Sequence, residues 1–144
     1  MKSTMLQGAA EKTFALIFDT GDEVMKELLS FANQHRVTSA HFTAIGAFRR
    51  VVLGYFDWEK KDYIPIPVEE QVEVVSLIRD IALGDKCEPK IHAHVVVGRR
   101  DGSALAGHLM EAHVRPTLEL ILEESPARLE RKWDPTAGLA LIKL

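Results

Sequence analysis

Hydrophobic and polar positions alternate along this chain with two different periods. From Thr13 to Phe18 the sequence reads TFALIF, an apolar run of β character. In TGDEVMKELLSFANQHR, which follows, Val24, Leu28, Phe31 and Ala32 recur at helical spacing and fall on one face. Thr20 and Glu23 stand three apart, the spacing of a capping box. One helix is predicted here, and its apolar stripe needs a sheet to cover. From residue 38 onward the pattern shortens to SAHFTAIGAF, RRVVLGYFDW, QVEVVSLI, KIHAHVVVG, ALAGHLM, TLELILEE and GLALIKL. These segments are rich in Val, Ile, Leu and aromatics and are separated by turn residues, so they read as strands. Most connections are too short for a crossover helix, which predicts mainly antiparallel pairing and an α+β fold with one main helix on the sheet. There is no internal repeat or Gly/Ser linker, and 144 residues suit one core, so a single domain over 1–144 is expected.

Composition narrows the chemistry. A lone cysteine, Cys87, excludes an internal disulfide framework and a cysteine-cluster zinc site, leaving histidine and carboxylate as metal ligands and fitting a reducing cytoplasm. No stretch approaches the roughly 20 apolar residues of a membrane span. The N-terminus, MKSTMLQGAAEK, carries no continuous apolar signal segment, so a soluble, unprocessed cytoplasmic protein with no membrane partner is expected. The formal net charge of −3 gives no general attraction to phosphate backbones, so nucleic-acid binding would need basic residues gathered on one face.

The run IHAHVVVG (91–98) sets two histidines inside an apolar strand. Side chains alternate in a strand, so His92 and His94 share a face with Cα atoms roughly 7 Å apart, twice the ~3.3 Å rise. Both can then reach one metal ion, or simply hydrogen-bond to neighbours. The next segment, GRRDGSALAGHLM, holds an Asp101-Gly102 turn signal and then His108. With a two-residue turn, His108 would stand opposite Val95, on the wrong face. A three-residue loop of Arg100, Asp101 and Gly102, with Gly102 left-handed, pairs Arg99 with Ser103 and sets His108 opposite His94. Cross-strand Cβ atoms are ~4.5–5.5 Å apart, so three imidazoles would converge as in an open zinc site. The remaining position would go to water, an anion or a neighbouring subunit. Gly107 would relieve crowding beside the rings.

The other histidines read more plainly. His35 falls at the helix end, where positive charge suits the dipole. His41 shares a strand face with Ser39 and Thr43, solvated or packed, and His113 reads as a surface residue. Glu119 alternates with leucines in TLELILEE. It is either a solvated side chain or a carboxylate that orients a ligand imidazole or acts on metal-bound water.

The stretch IHAHVVVGRRDGSALAGHLMEAHVRPTLELIL resembles the signature region of the plants-and-prokaryotes-conserved (PPC) domain family. SAHFTAIGAF, GYFD, YIPIPVEEQVEVVSL and DPTAGLALI match it further. The resemblance implies a compact α+β fold, a homotrimer and, where metal is held, ligation through the positions of His92, His94 and His108. It also implies a DNA-associated role. Plant relatives join this domain to AT-hooks, whereas no proline-flanked R-G-R core occurs in this chain. Two positions depart from the family pattern: Ala106-Gly107 stands where two glycines are common, and Arg79 where glycine is usual. Of the partner-contact motif of plant members, only Glu73 in QVEVV agrees.

The expected function is therefore that of a small homotrimeric PPC protein with a zinc-like divalent ion on His92, His94 and His108 and a DNA-binding or regulatory role. Any DNA contact would rest on Arg49, Arg50, Arg99 and Arg100. The alternatives are a hydrolase-like enzyme using metal-bound water, with Glu119 or a neighbouring subunit moving the proton, and a purely structural metal pinning the hairpin.

Overall fold

The computed structural model describes residues 1–7 and 12–143. Its elements are β1 (Lys2–Gln7), β2 (Thr13–Asp19), α1 (Val24–His35), β3 (Ala40–Asp57), β4 (Asp62–Val68), β5 (Val72–Leu83), β6 (Pro89–Gly98), β7 (Ala104–Glu124), β8 (Glu130–Asp134) and β9 (Leu139–Lys143). The strands form one nine-stranded sheet, ordered β1-β2-β7-β3-β5-β8-β9, with β4 on β3 and β6 bridging β5 and β7. The fold is α+β. Every pairing is antiparallel except the single Leu83–Glu130 bridge between β5 and β8.

Two long strands hold the sheet together. β3 pairs with β4, β5 and β7, and β7 pairs with β2, β3 and β6, so β3, β5, β6 and β7 close into a ring. Each long strand covers two of the segments expected from sequence. β3 runs through the boundary expected between Phe48 and Arg49 with register shifts on both sides of Phe48, and at Gly46 a Cβ would lie 2.4 Å from the Thr117 carbonyl oxygen. That near-contact of two backbones needs glycine. On β7 the register skips residues 115–117, and Pro116, with no N–H to give to a ladder, sits in the gap.

Alternation decides what is buried. Leu118, Leu120 and Leu122 point into the core, and Glu119, Ile121 and Glu123 point away from it. The inner face packs on Val24, Leu28, Phe31 and Ala32 of α1, all buried as the helical spacing predicts. Thr20 is not the cap. The helix begins at Val24, and the Glu23 carboxylate accepts from the amides of Met25 at 3.1 Å and Lys26 at 2.7 Å. Glu23 also accepts from the Ala112 amide at 3.2 Å, tying the helix to β7, while the Thr20 hydroxyl donates to the Pro116 carbonyl at 2.9 Å. Thr20 is drawn off because Gly21, with φ 99°, turns the chain just before the helix.

Candidate metal centre

The β6–β7 hairpin takes the three-residue loop. The Arg99 amide donates to the Ser103 carbonyl at 2.8 Å, the Gly102 amide donates to the Arg99 carbonyl at 2.9 Å, and Gly102 has φ 83°. The Asp101 carboxylate accepts from the Ser103 amide at 2.9 Å and hydroxyl at 2.6 Å, fixing the turn. Gly98 then pairs with Ala104 and His94 with His108. Gly107 serves a different neighbour from the one expected: a Cβ there would come within 3.0 Å of the Gly54 carbonyl oxygen, so its bareness lets β3 approach.

His92, His94 and His108 each offer one nitrogen, and the three atoms lie within 4.8 Å of one another. The Nε2 atoms of His92 and His94 are 3.1 Å apart, close to the ~3.3 Å between two ligands bound at ~2.0–2.1 Å to a tetrahedral zinc ion. The ring centroids stand 5.0–5.4 Å apart. His108 Nδ1 is buried with no hydrogen-bond partner. A buried, unpaired ring nitrogen is costly unless something outside the polypeptide takes its lone pair or proton. Burial holds the His108 pKa down at about 4, with the neighbouring rings and Arg79 and Arg131 adding to the effect. Burial lowers His92 and His94 too, helped by Arg131 at His92 and by Arg79 at both. All three rings are thus neutral at neutral pH, the state a metal requires. The donor set fits a borderline-soft divalent ion such as zinc.

Asp80 and Arg131 stand behind His92. Asp80 is its cross-strand partner on β5, with Oδ2 at 3.9 Å from His92 Nδ1. Arg131, 8% exposed, donates to Asp80 Oδ1 at 2.5 Å and to the Ala140 carbonyl at 3.1 Å, and lies 3.3 Å from His92 Nδ1. As the groups stand, Arg131 can only donate to Nδ1 and Asp80 lies beyond hydrogen-bond distance; with Nε2 given to a metal, Nδ1 would carry the ring hydrogen and Asp80 is the nearby carboxylate that could accept it after a small shift. Arg79 donates to the His92 carbonyl. The His108 ring stacks on Tyr63 at 4.4 Å, and Gly54 makes room, since a Cβ there would sit 2.9 Å from Tyr63 Cδ1.

Asp80 was within reach of sequence reasoning. Counting back through the loop of residues 84–88, which returns the chain from Leu83 to its partner Pro89, aligns it with His92. Arg131 and Tyr63 come from remote segments and carry no such signal.

The remaining predicted residues lie elsewhere. Glu119 is not beside the rings. It pairs with Ile17 and Ile45 and lines a separate cavity with them. Its distance follows from the length of β7, which carries it past β6 onto β2 and β3. Arg49 and Arg50 lie midway along β3 next to the Phe48–Val72 pair, and Arg99 and Arg100 lie in the β6–β7 turn next to the Glu73–Gly98 pair, so the two sets flank the start of β5. Arg50 is bound by Glu111 and lies 3.7 Å from Glu69, and Arg99 is bound by Glu70 at 2.6 Å. Arg49 and Arg100 are exposed and carry no ion pair among the described residues. His35 stacks on Phe31 at 4.2 Å. His41 pairs with Glu123 at 2.9 Å, exposed like Thr43, whereas Ser39 is buried before the strand begins. His113 is held by Glu111 at 2.7 Å.

The fold is shared with known proteins. A plant- and prokaryote-conserved (PPC) protein of Pyrococcus horikoshii is 31% identical with a TM-score of 0.86, over 99% of this chain and 95% of that one. A metal-containing protein of Archaeoglobus fulgidus is 32% identical with a TM-score of 0.85, over 100% and 99%. A candidate DNA-binding protein of Bacteroides thetaiotaomicron is 27% identical with a TM-score of 0.87, over 98% and 96%. Among curated sequences, the bifunctional protein GlmU of a Synechococcus strain is 27% identical over 121 residues, 82% of this chain, which spans 18% of that relative's length. The Plants and Prokaryotes Conserved (PCC) domain matches residues 5–126, and the chain belongs to that family, also abbreviated PPC.

Proposed function

We propose that this chain is a metal-carrying PPC protein of DNA-associated, regulatory type, assembled as a homotrimer, with zinc held by His92, His94 and His108. The observation that carries the reading is the convergence of three imidazoles, each offering one nitrogen within 4.8 Å of the others. The metal-containing Archaeoglobus relative supports it. For DNA, the support is the exposed Arg49 and Arg100 on the two segments that flank the start of β5, together with the candidate DNA-binding protein of Bacteroides. Three copies facing one duplex would add through avidity what a single weak patch lacks.

The hydrolytic alternative has less to work with. It needs a carboxylate free to take a proton, yet Asp80 is engaged by Arg131, Glu88 by Lys90, and Glu119 lines another cavity, which leaves only the exposed Asp85 in the lining without an ion pair among the described residues.

Elemental analysis of the purified protein beside the triple variant His92→Ala, His94→Ala, His108→Ala tests the metal. About one zinc per chain in the parent and none in the variant is expected. Retained metal in the variant would place it elsewhere. Duplex binding followed by fluorescence anisotropy should weaken steeply from low to physiological salt, and no binding at low salt removes the DNA part of the reading.

A further inference from the structure

The histidine cluster opens onto a cavity of about 410 Å³, within the range that holds small molecules. One wall is the β8–β9 hairpin, which contributes Arg131, Leu139, Ala140 and Leu141, and Ile91 adds to the apolar lining. The family model ends at residue 126, and this wall lies past it in a part of the chain that the Pyrococcus and Archaeoglobus structures still cover. The hairpin meets the sheet through the Leu83–Glu130 bridge and the Arg131–Asp80 ion pair. At its tip Gly138 abuts Lys61, where a Cβ would come within 2.7 Å of the lysine's Cβ. The wall is therefore anchored at both ends.

Charge and polarity in the cavity point to one class of ligand. Among the described residues no carboxylate or thiolate joins the three rings, so the protein's donors to an ion there are neutral. The closest carboxylate, Asp80, is already matched by Arg131, and Arg79 adds a second guanidinium at the His92 carbonyl. Around the cavity, with Arg131 matched by Asp80, Lys86 and Lys90 only balance Asp85 and Glu88, so the lining holds no surplus negative charge to offset a bound ion. A divalent ion in this setting carries uncompensated positive charge, and an anion from outside is what balances it. The cavity behind is mainly apolar, which favours an anion with a hydrocarbon part over a bare one.

We propose that the β8–β9 hairpin makes this site a receptor for a small amphipathic monocarboxylate, its head at the open side of the histidine cluster and its hydrocarbon part against Ile91, Leu139 and Leu141. This rests on the metal reading above. It adds to that reading a ligand class and assigns the selection of it to the C-terminal hairpin.

The test loads the full-length protein with cobalt(II), measures metal per chain, and titrates acetate, butyrate and hexanoate at fixed ionic strength, following the cobalt visible spectrum and calorimetric heats. Affinity is expected to rise by about fourfold per added methylene while the chain stays inside the cavity. The variant Leu139→Ser, Leu141→Ser should keep its metal and its acetate affinity but lose the chain-length dependence. Affinity that ignores chain length in the parent, an unchanged dependence in the variant, or inorganic phosphate binding as tightly as hexanoate each overturns the proposal. Failure to take up cobalt or zinc would instead sink the metal reading, and this one with it; normal uptake without carboxylate binding sinks this one alone.

Discussion

Asp80 has a defined job at the scale of single residues. Its carboxylate lies 3.9 Å from His92 Nδ1 and is held in turn by Arg131, so it is the acceptor at hand for the ring hydrogen once Nε2 is given to a metal. Loss of such a partner weakens metal binding by roughly 10–100-fold. Asp80→Asn is therefore expected to lower zinc affinity within that range without unfolding the chain, as read by competition with a chromophoric chelator and by circular dichroism. The histidines themselves set a pH dependence. Their folded pKa values lie below the ordinary 6.5, to about 4 for His108, so between those limits the unfolded chain binds more protons than the folded one. Metal-free protein should hold constant histidine-linked stability above about pH 6.5 and lose it as pH falls toward 4. The loss should be reduced in His108→Gln, and denaturant midpoints across that window in chelator measure both.

Turns and bulges decide the register at the scale of elements, and two glycines separate their causes. Gly102 has φ 83° and open space around it, so Gly102→Ala carries only the conformational penalty of a left-handed residue, about 1–2 kcal/mol. Gly46 has φ 150°, and the added methyl would also meet the Thr117 carbonyl at 2.4 Å, forcing β3 and β7 apart. Gly46→Ala should therefore lower the urea midpoint by clearly more than Gly102→Ala. The same contrast explains what the sequence disclosed. The placing of His108 opposite His94 was legible because it depends on a local hairpin whose Asp-Gly signal leaves two registers to weigh. The helix stripe was legible for a similar reason, being a periodicity within twelve residues. The continuity of β3 and β7 was hidden because Arg49-Arg50 and the stretch ending in Pro116 read as boundaries between segments, whereas tertiary pairing carries both strands through with bulges. β4 was hidden by Pro65 and Pro67, tolerated because this strand pairs only with β3. Arg131 and Tyr63 reach the rings from distant segments, which no local pattern encodes.

The whole molecule presents a problem that one chain does not solve. The outward face of the sheet exposes Ile45 at 61%, Val75 at 59% and Ile78 at 54%, with Ile17 and Ile121 beside them. A contiguous apolar face of this kind is a mark of association rather than of a lone soluble domain. Successive cross-strand partners His94, Ile78, Thr43 and Ile121 run across β6, β5, β3 and β7, so the histidine cluster looks out from the same side as this face. Packing of copies through it would bury the apolar residues and leave each metal site at the margin of an interface. Yet all three imidazoles come from one hairpin of one chain. Assembly and metal binding should therefore separate. Ile45→Lys with Ile121→Lys is expected to convert the proposed trimer to monomers in sedimentation velocity while each chain keeps its zinc. Chelation should strip the zinc and leave the trimer mass unchanged. Dissociation on chelation would mean instead that the ion, and not the apolar face, joins the copies, and the purely structural role for the metal would then take precedence.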